Sequence, residues 1–559
     1  GPRTRNWHGG LCFVGAGPSS DCAGQELLAW SGGARPTERL QSVSIPIPAL
    51  RPAWHDFQRG SLGTGGSSMW DPNREDSGAN MSQPNIILII CDQWRGDCLS
   101  VAGHPTVETP NLDSLARQGC YFDRAYSSCP SCIGARASLF TGMSPYQAGR
   151  SGYRDQVPWN YDRMLPQLLA DAGYQTHCSG KTHFFPQRKH CGFHSHESYE
   201  GSQDFDGRYV NDYREWLRNK TGGEFEEWDH GLNDNSWMCR PSQLPERLHN
   251  NWWTMDCALD FLKRRDRTRP YFLNISFHRP HPPIDPPQEY YNMYRDRPLA
   301  DVPVGDWRPD NLGPVKGMST RNGVLAKGML DNSRRGYYAQ LAHLDNMIGR
   351  LLVSFRNLKE EEPWIIFTSD HGELLGDHHH FAKSLPYEGS ARIPLIIKPP
   401  RTARMKETGK VDTPAVIEDI YPTVLEIAGL KADSRLDSES LLPFLGKDPQ
   451  FDRALIHSEH AAPGHRNSLW HMLSDGCHKY IWWMANDREL LFDLEQDPGE
   501  TRDLSKKQPE LCKAWRKKLA AYLHEKQNHD QLSDGEELKV GVEMDPFRPW
   551  AETGIFGDP

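Results

Sequence analysis

Short apolar runs, each cut off by residues that bind metals or move protons, constrain this chain more than any other feature. Ile86-Ile87-Leu88-Ile89-Ile90-Cys91 is apolar at every position, as a central strand covered on both faces must be, and Asp92-Gln93 follows at once. Trp364 to Phe367 is a second such run, soon followed by Ser369-Asp370-His371-Gly372. Tyr271 to Phe277, a strand broken by the polar Asn274 and Ser276, gives way to His278-Arg279-Pro280-His281-Pro282-Pro283; Pro394 to Lys398 reads as a further strand. Helical stretches separate these runs. Thr109-Pro110 caps and opens one that closes at Gly119, and Tyr337, Leu341, Leu344, Ile348 and Leu351 mark another by spacings of four and three. Strands alternating with helices predict an α/β fold, with helices on both faces of a large, mixed, mostly parallel sheet.

Beyond about Leu430 the pattern changes. Lys479 to Trp483 and Glu489 to Leu494 read as antiparallel strands joined by a polar turn, and a helix follows from Pro509 to His524. The expected organisation is a catalytic domain over residues 81–430 and a smaller C-terminal α+β subdomain over residues 431–559. Its tail, residues 530–559, is expected to lie extended on the surface or over the site. Residues 1–80 are rich in Gly, Ser, Pro and Arg, show no sustained period and lack the apolar core of a signal peptide. They are expected to be a disordered or non-native extension ahead of a start at Met81, with the cytoplasm as the default location.

Composition narrows the partners. A net charge of −10 over 559 residues argues against nucleic acid or an anionic membrane as the general partner. The longest strongly apolar run is far short of the ~20 residues a membrane helix needs. Thirteen cysteines, an odd number with no repeating framework, fit a chain kept reduced better than a disulfide scaffold.

In open α/β sheets the functional crevice lies at the carboxyl ends of the strands, so Asp92-Gln93 and Asp370-His371 are predicted to meet in space. Their carboxylate and amide oxygens suit Ca²⁺ or Mg²⁺, and an imidazole among them admits Mn²⁺; turn and cap chemistry is the alternative for either pair alone. Cys132-Ile133-Gly134-Ala135-Arg136 puts a cation one turn after a thiol at a helix start, where anionic oxygens are favoured. Cys129-Pro130-Ser131-Cys132 also spells a redox CxxC, and a buried structural thiol is a third possibility. Lys181 with His183, His281 and Lys383 supply cations and an acid of the kind a dianionic ester requires. His378-His379-His380 invites a zinc reading, but consecutive side chains point different ways. Trp252, Trp253, Trp482 and Trp483 are candidates for stacking on sugars or for the core, and His465-Arg466 is a candidate to reach the site.

Taken in order from Pro84 to His524, these elements resemble the type I sulfatases, members of the alkaline phosphatase superfamily. The resemblance implies that Cys132 is oxidised to formylglycine by a maturation enzyme and that Arg136 steadies it. It implies that Asp92, Gln93, Asp370 and His371 bind the metal, Ca²⁺ by family habit. Lys181 and Lys383 would bind the sulfate, His183 would help break down the sulfated intermediate, and His281 would protonate the leaving oxygen. Gln93 and His371 are also similar to the corresponding residues of phosphonate monoester hydrolases, so a phosphonate or phosphodiester substrate is the first alternative. A sulfate-ester binding protein with an unmodified thiol is the second. Gly134 stands where the family's commonest pattern has proline.

Overall fold

The computed structural model describes residues 83–547 apart from 204–208, 310–311, 359–361, 404–408, 446–452, 462–468, 527–531 and 543–544. The extension expected over residues 1–80, and His465 with Arg466, lie outside the described residues.

Eight strands form one sheet: β1 (Ile86–Cys91), β2 (Cys120–Phe122), β3 (Gln175–Gly180), β4 (Ser195–Ser198), β5 (Tyr271–Phe277), β6 (Trp364–Thr368), β7 (Leu395–Lys398) and β8 (Gly409–Val411). Their order is β8-β2-β7-β6-β1-β5-β3-β4. The run from β6 to β4 is parallel, β8 is parallel to β2, and β7 is antiparallel to both its neighbours. The sheet is therefore mixed and mostly parallel. Register pairs Ile90 with both Ser276 and Thr368, and Gly180 with Ser276, so four strands end level at one edge.

β1 is buried at every position because each face has its own cover. Ile86, Leu88 and Ile90 join the core made with helix α2 (Cys132–Thr141), whose Ile133, Leu139 and Phe140 pack there. Ile87, Ile89 and Cys91 face the opposite core, built with α3 (Asn250–Arg264) and α4 (Lys327–Leu358). The residues of α4 that reach this core are Tyr337, Leu341, Leu344, Ile348 and Leu351, the stripe read from their spacing. Helix α1 (Pro110–Gln118) begins and ends where expected, yet Thr109 makes no side-chain cap; its hydroxyl accepts from Ser100 N at 3.0 Å instead.

The C-terminal sheet runs β9 (Ile456–His460), β10 (Trp470–Ser474), β11 (His478–Trp483) and β12 (Arg488–Asp493), antiparallel in chain order. One face packs Leu473, Tyr480, Trp482 and Leu491 on Trp515, Leu519 and Leu523 of α5 (Pro509–Glu525). The other packs Met472, Ile481 and Phe492 on Tyr126, Leu374 and Tyr387 from the larger part of the chain. Leu532 and Leu538 join the core beneath α5, so this part of the expected tail is packed rather than extended. Its apolar side chains gain more from burial than an exposed strap would allow. Among the described residues no helix is long and apolar enough to cross a membrane.

Candidate active site

Strand ends deliver the site. Asp92 follows β1, Lys181 follows β3, His278 and His281 follow β5, and Asp370 and His371 follow β6, while α2 brings Cys132 at its first residue. Four groups converge on Cys132 Sγ: Lys383 Nζ at 3.2 Å, His371 Nε2 at 3.3 Å, Asp92 Oδ1 at 3.7 Å and Lys181 Nζ at 3.8 Å. Cys132 is 1% exposed. Cys129 and Cys132 are both free thiols.

Arg136, fully buried one turn into α2, ties four strand ends together. Its Nε donates to Asp370 Oδ2 at 2.9 Å, one terminal nitrogen donates to the Lys181 carbonyl and to Ser276 Oγ, both at 2.9 Å, and the other lies 3.4 Å from Asp92 Oδ2. Lys181 Nζ lies 2.7 Å from Asp92 Oδ2. Buried charges persist only when paired in this way. Around Cys132, Arg136, Lys181 and Lys383 outnumber Asp92 and Asp370 by one charge, while Glu200, Asp234 and Arg321 add charges of both signs to the cavity lining.

Two site residues hold left-handed backbones, a strain that needs support. Gln93, at φ 73°, donates its N–H to Asp370 Oδ1 at 3.2 Å, and its carbonyl accepts from Tyr337 at 2.7 Å. Its side-chain amide donates to Glu373, which leaves Oε1 accepting from Lys383 Nζ at 2.9 Å. His183, at φ 63°, is held by Glu200, whose carboxylate accepts from the N–H groups of Thr182 and His183 at 2.7–3.1 Å. The His183 ring lies 3.2 Å from Asp155.

Burial alone would push the Asp92 carboxyl up, but the ammonium groups of Lys181 and Lys383 hold it well below the usual carboxylate range. Burial would also lower Lys181 and His183; Asp92 raises the lysine, and Asp155 and Cys132 raise the histidine. Burial, reinforced by Lys383, drives His281 well below the imidazole range, so it is neutral before an anion arrives.

Donor atoms of Asp92, Cys132, Asp370 and His371 lie within 4.8 Å of one another, all buried. Carboxylate oxygens with one imidazole and the nearby Gln93 amide fit a divalent cation of the Ca²⁺ or Mn²⁺ kind. His378, His379 and His380 form no such group among the described residues; the His378 ring accepts from Gly305 N while His380 turns to the cavity.

A cavity of about 430 Å³ opens over Cys132, and Lys181, His183, His281 and Lys383 line it with Arg321, His460, Trp470 and Trp483. Of the four candidate tryptophans only Trp483 reaches it. Trp482 and Trp253 are buried in cores, and Trp252 lies under the Arg350 guanidinium at 3.6 Å. Sequence reasoning passed over Asp155 and Glu200, which carry no motif, Ser276, which reads only as the end of the sequon Asn274-Ile275-Ser276, and Glu373, which ends the conspicuous Asp370-His371-Gly372-Glu373 stretch.

Gly134 has a packing reason. A Cβ there would come within 2.4 Å of Cys129 Sγ and 2.8 Å of the Arg150 carbonyl. The neighbouring thiol fills the space a larger residue would take.

The sulfatase family model matches residues 84–430, and that of the N-sulphoglucosamine sulphohydrolase C-terminal region matches residues 376–529. An arylsulfatase of Clostridium perfringens is 38% identical over 482 residues, covering 83% of this chain and 99% of the relative. The multifunctional alkaline phosphatase superfamily protein PehA of Trinickia caryophylli is 29% identical over 76% of this chain and 92% of its own length. The crystal structure of the phosphonate monoester hydrolase of Agrobacterium radiobacter superposes with a TM-score of 0.67 at 24% identity, covering 81% of this chain and 99% of that one.

Proposed function

The chain belongs to the sulfatase family of sulfuric ester hydrolases in the alkaline phosphatase superfamily, and from that premise we propose that it cleaves an aryl or carbohydrate sulfate monoester with formylglycine made from Cys132. The observation that carries the reading is the convergence of two lysines, an aspartate and a histidine on Cys132 Sγ within 3.2–3.8 Å. A structural thiol has no need of such neighbours, and a redox CxxC leaves them without a purpose.

Asp92, Gln93, Asp370 and His371 would hold the cation, Ca²⁺ first and Mn²⁺ or Mg²⁺ as alternatives. Bound there, the cation supplies Lewis-acid polarisation of a sulfate oxygen and favours the ionised form of an adjacent hydroxyl. The hydrated aldehyde at position 132 supplies the nucleophilic oxygen. Every other task falls to side chains already in position. Arg136 fixes the two carboxylates that face the sulfur's attacker. Lys181 and Lys383 neutralise sulfate oxygens as charge builds. His281, neutral in the free site, gains basicity when the anionic sulfate ester enters beside it, takes up a proton from solvent and passes it to the departing oxygen. His183, oriented by Asp155, accepts a proton from the second hydroxyl of the hydrate, which releases sulfate. With Cys132 1% exposed, the maturation enzyme must act before α2 packs into the core.

Comparing kcat/KM for an aryl sulfate with its phosphonate monoester and phosphodiester counterparts tests the substrate class. A preference for sulfate is expected; a preference for either phosphorus ester would replace the reading with that hydrolase. His281→Ala is expected to cost poor leaving groups on the order of 10²–10⁴ in kcat and activated aryl sulfates far less. Equal losses on both would sink the acid role.

A further inference from the structure

The face of the C-terminal sheet turned away from the catalytic cavity carries two imidazoles and a carboxylate with no part in the reaction just described. Register sets Glu459 of β9 directly opposite His471 of β10, and His457, two residues along β9, shares that face. His457 Nε2 lies 3.0 Å from His471 Nδ1, and Glu459 Oε2 lies 3.4 Å from the same His471 nitrogen. All three donor atoms fall within 4.8 Å of one another, and all three residues are buried. A hydrogen bond between the imidazoles accounts for one of these contacts. The Glu459 carboxylate oxygen converges on the same nitrogen, which brings three potential metal donors together at one point.

We propose that His457, Glu459 and His471 form a structural Zn²⁺ site, separate from the catalytic centre. Tetrahedral Zn²⁺ with bonds of about 2.0–2.2 Å sets its donors roughly 3.3–3.6 Å apart, close to the spacing of this trio. Two imidazoles and one carboxylate suit Zn²⁺ rather than Ca²⁺ or Mg²⁺, which take oxygen donors. The surroundings fix the donors as a metal site requires. Ser151 Oγ donates to Glu459 Oε1 at 2.5 Å, turning Oε2 toward His471. The His471 ring stacks on Trp482 at 5.9 Å, and the His457 ring lies 5.3 Å from that of Tyr522 on α5.

The site has a structural task. Glu459 N donates to the Ser128 carbonyl and Ser458 Oγ to the Ser127 carbonyl, both at 2.8 Å, and the Ser127–Ser128 segment leads directly into Cys129 and Cys132. His460, next to Glu459, lines the catalytic cavity. Zn²⁺ between β9 and β10 clamps the strand that carries His460 and braces the segment that delivers Cys132.

The test uses the full chain, stripped of metal and titrated with Zn²⁺ alone, then exchanged into excess Ca²⁺ and analysed by mass spectrometry of the metals. About one equivalent of Zn²⁺ per chain is expected to survive exchange, with a rise in Tm. Glu459→Gln and His457→Gln are expected to abolish both, while Asp370→Asn, which disables the catalytic donor set, is expected to leave both intact. Zinc loss in Asp370→Asn with retention in the other two variants would assign the metal to the catalytic centre and overturn the proposal. If the Glu459 and His457 variants do not fold, X-ray absorption of zinc in the wild-type chain decides: a shell of nitrogen and oxygen with imidazole scattering supports the site, and a sulfur neighbour or no retained zinc overturns it.

Discussion

The two sheets contribute to the same cavity by opposite means. The parallel sheet works through its ends: β6, β1, β5 and β3 finish level, and the residues just beyond them, Asp370, Asp92, His281 and Lys181, meet around Cys132. The antiparallel sheet works through a face. His460, Trp470 and Trp483 are cross-strand partners on β9, β10 and β11, and this row walls the cavity. The adjacent row, Glu459, His471 and Trp482, turns the other way, because a single step along a strand changes the face. Charged groups suited to moving protons and neutralising an anion sit on the ends, held by dense ion pairs. The broad surfaces that meet the rest of a substrate sit on the face. In the proposed function, chemistry and shape recognition therefore fall to separate sheets.

Three substitutions break or sharpen that division. Lys383→Ala removes a cation 3.2 Å from Cys132 Sγ and is expected to lower kcat roughly 10²–10³-fold with secondary structure intact, read by steady-state kinetics and circular dichroism. A loss confined to KM would move Lys383 from the chemical step to simple binding. Gly134→Ala drives a Cβ into Cys129 Sγ and the Arg150 carbonyl, an overpacking that costs about 1–3 kcal/mol and lowers Tm. Cys129→Ala in the same chain should recover part of the loss; no recovery would mean that the Arg150 carbonyl alone sets the limit. Trp483→Ala is expected to raise KM about tenfold or less with kcat unchanged. A collapse of kcat there would erase the distinction between the sheets.

The same division explains what the sequence made legible. β1 and β6 are parallel strands buried on both faces and read as short apolar runs, so the residues that follow them, Asp92, Gln93, Asp370 and His371, stand out, while His281 stands out through its Pro-His-Pro setting. Lys181 follows Gln175–Gly180, which is too polar to stand out as a strand, and was noticed through its neighbour His183. Faces of antiparallel strands leave a weaker trace. Trp482 and Trp483 look equivalent in sequence, yet one fills the core and the other meets the cavity, and only register separates them. Supporting carboxylates are fainter still. Asp155 and Glu200 reach His183 from loops, through contacts that no local pattern encodes. Gly134 was legible as a departure from the family pattern, but its cause, the Cys129 thiol five positions earlier, depends on how α2 packs.

The central claim is that Cys132 is the precursor of the nucleophile. Its most direct test is the mass of the peptide spanning Cys132, from protein made in its own host and trapped with a carbonyl reagent. The account predicts an aldehyde at position 132 that reacts with the reagent, in proportion to sulfatase activity. An unmodified thiol in fully active protein would contradict it.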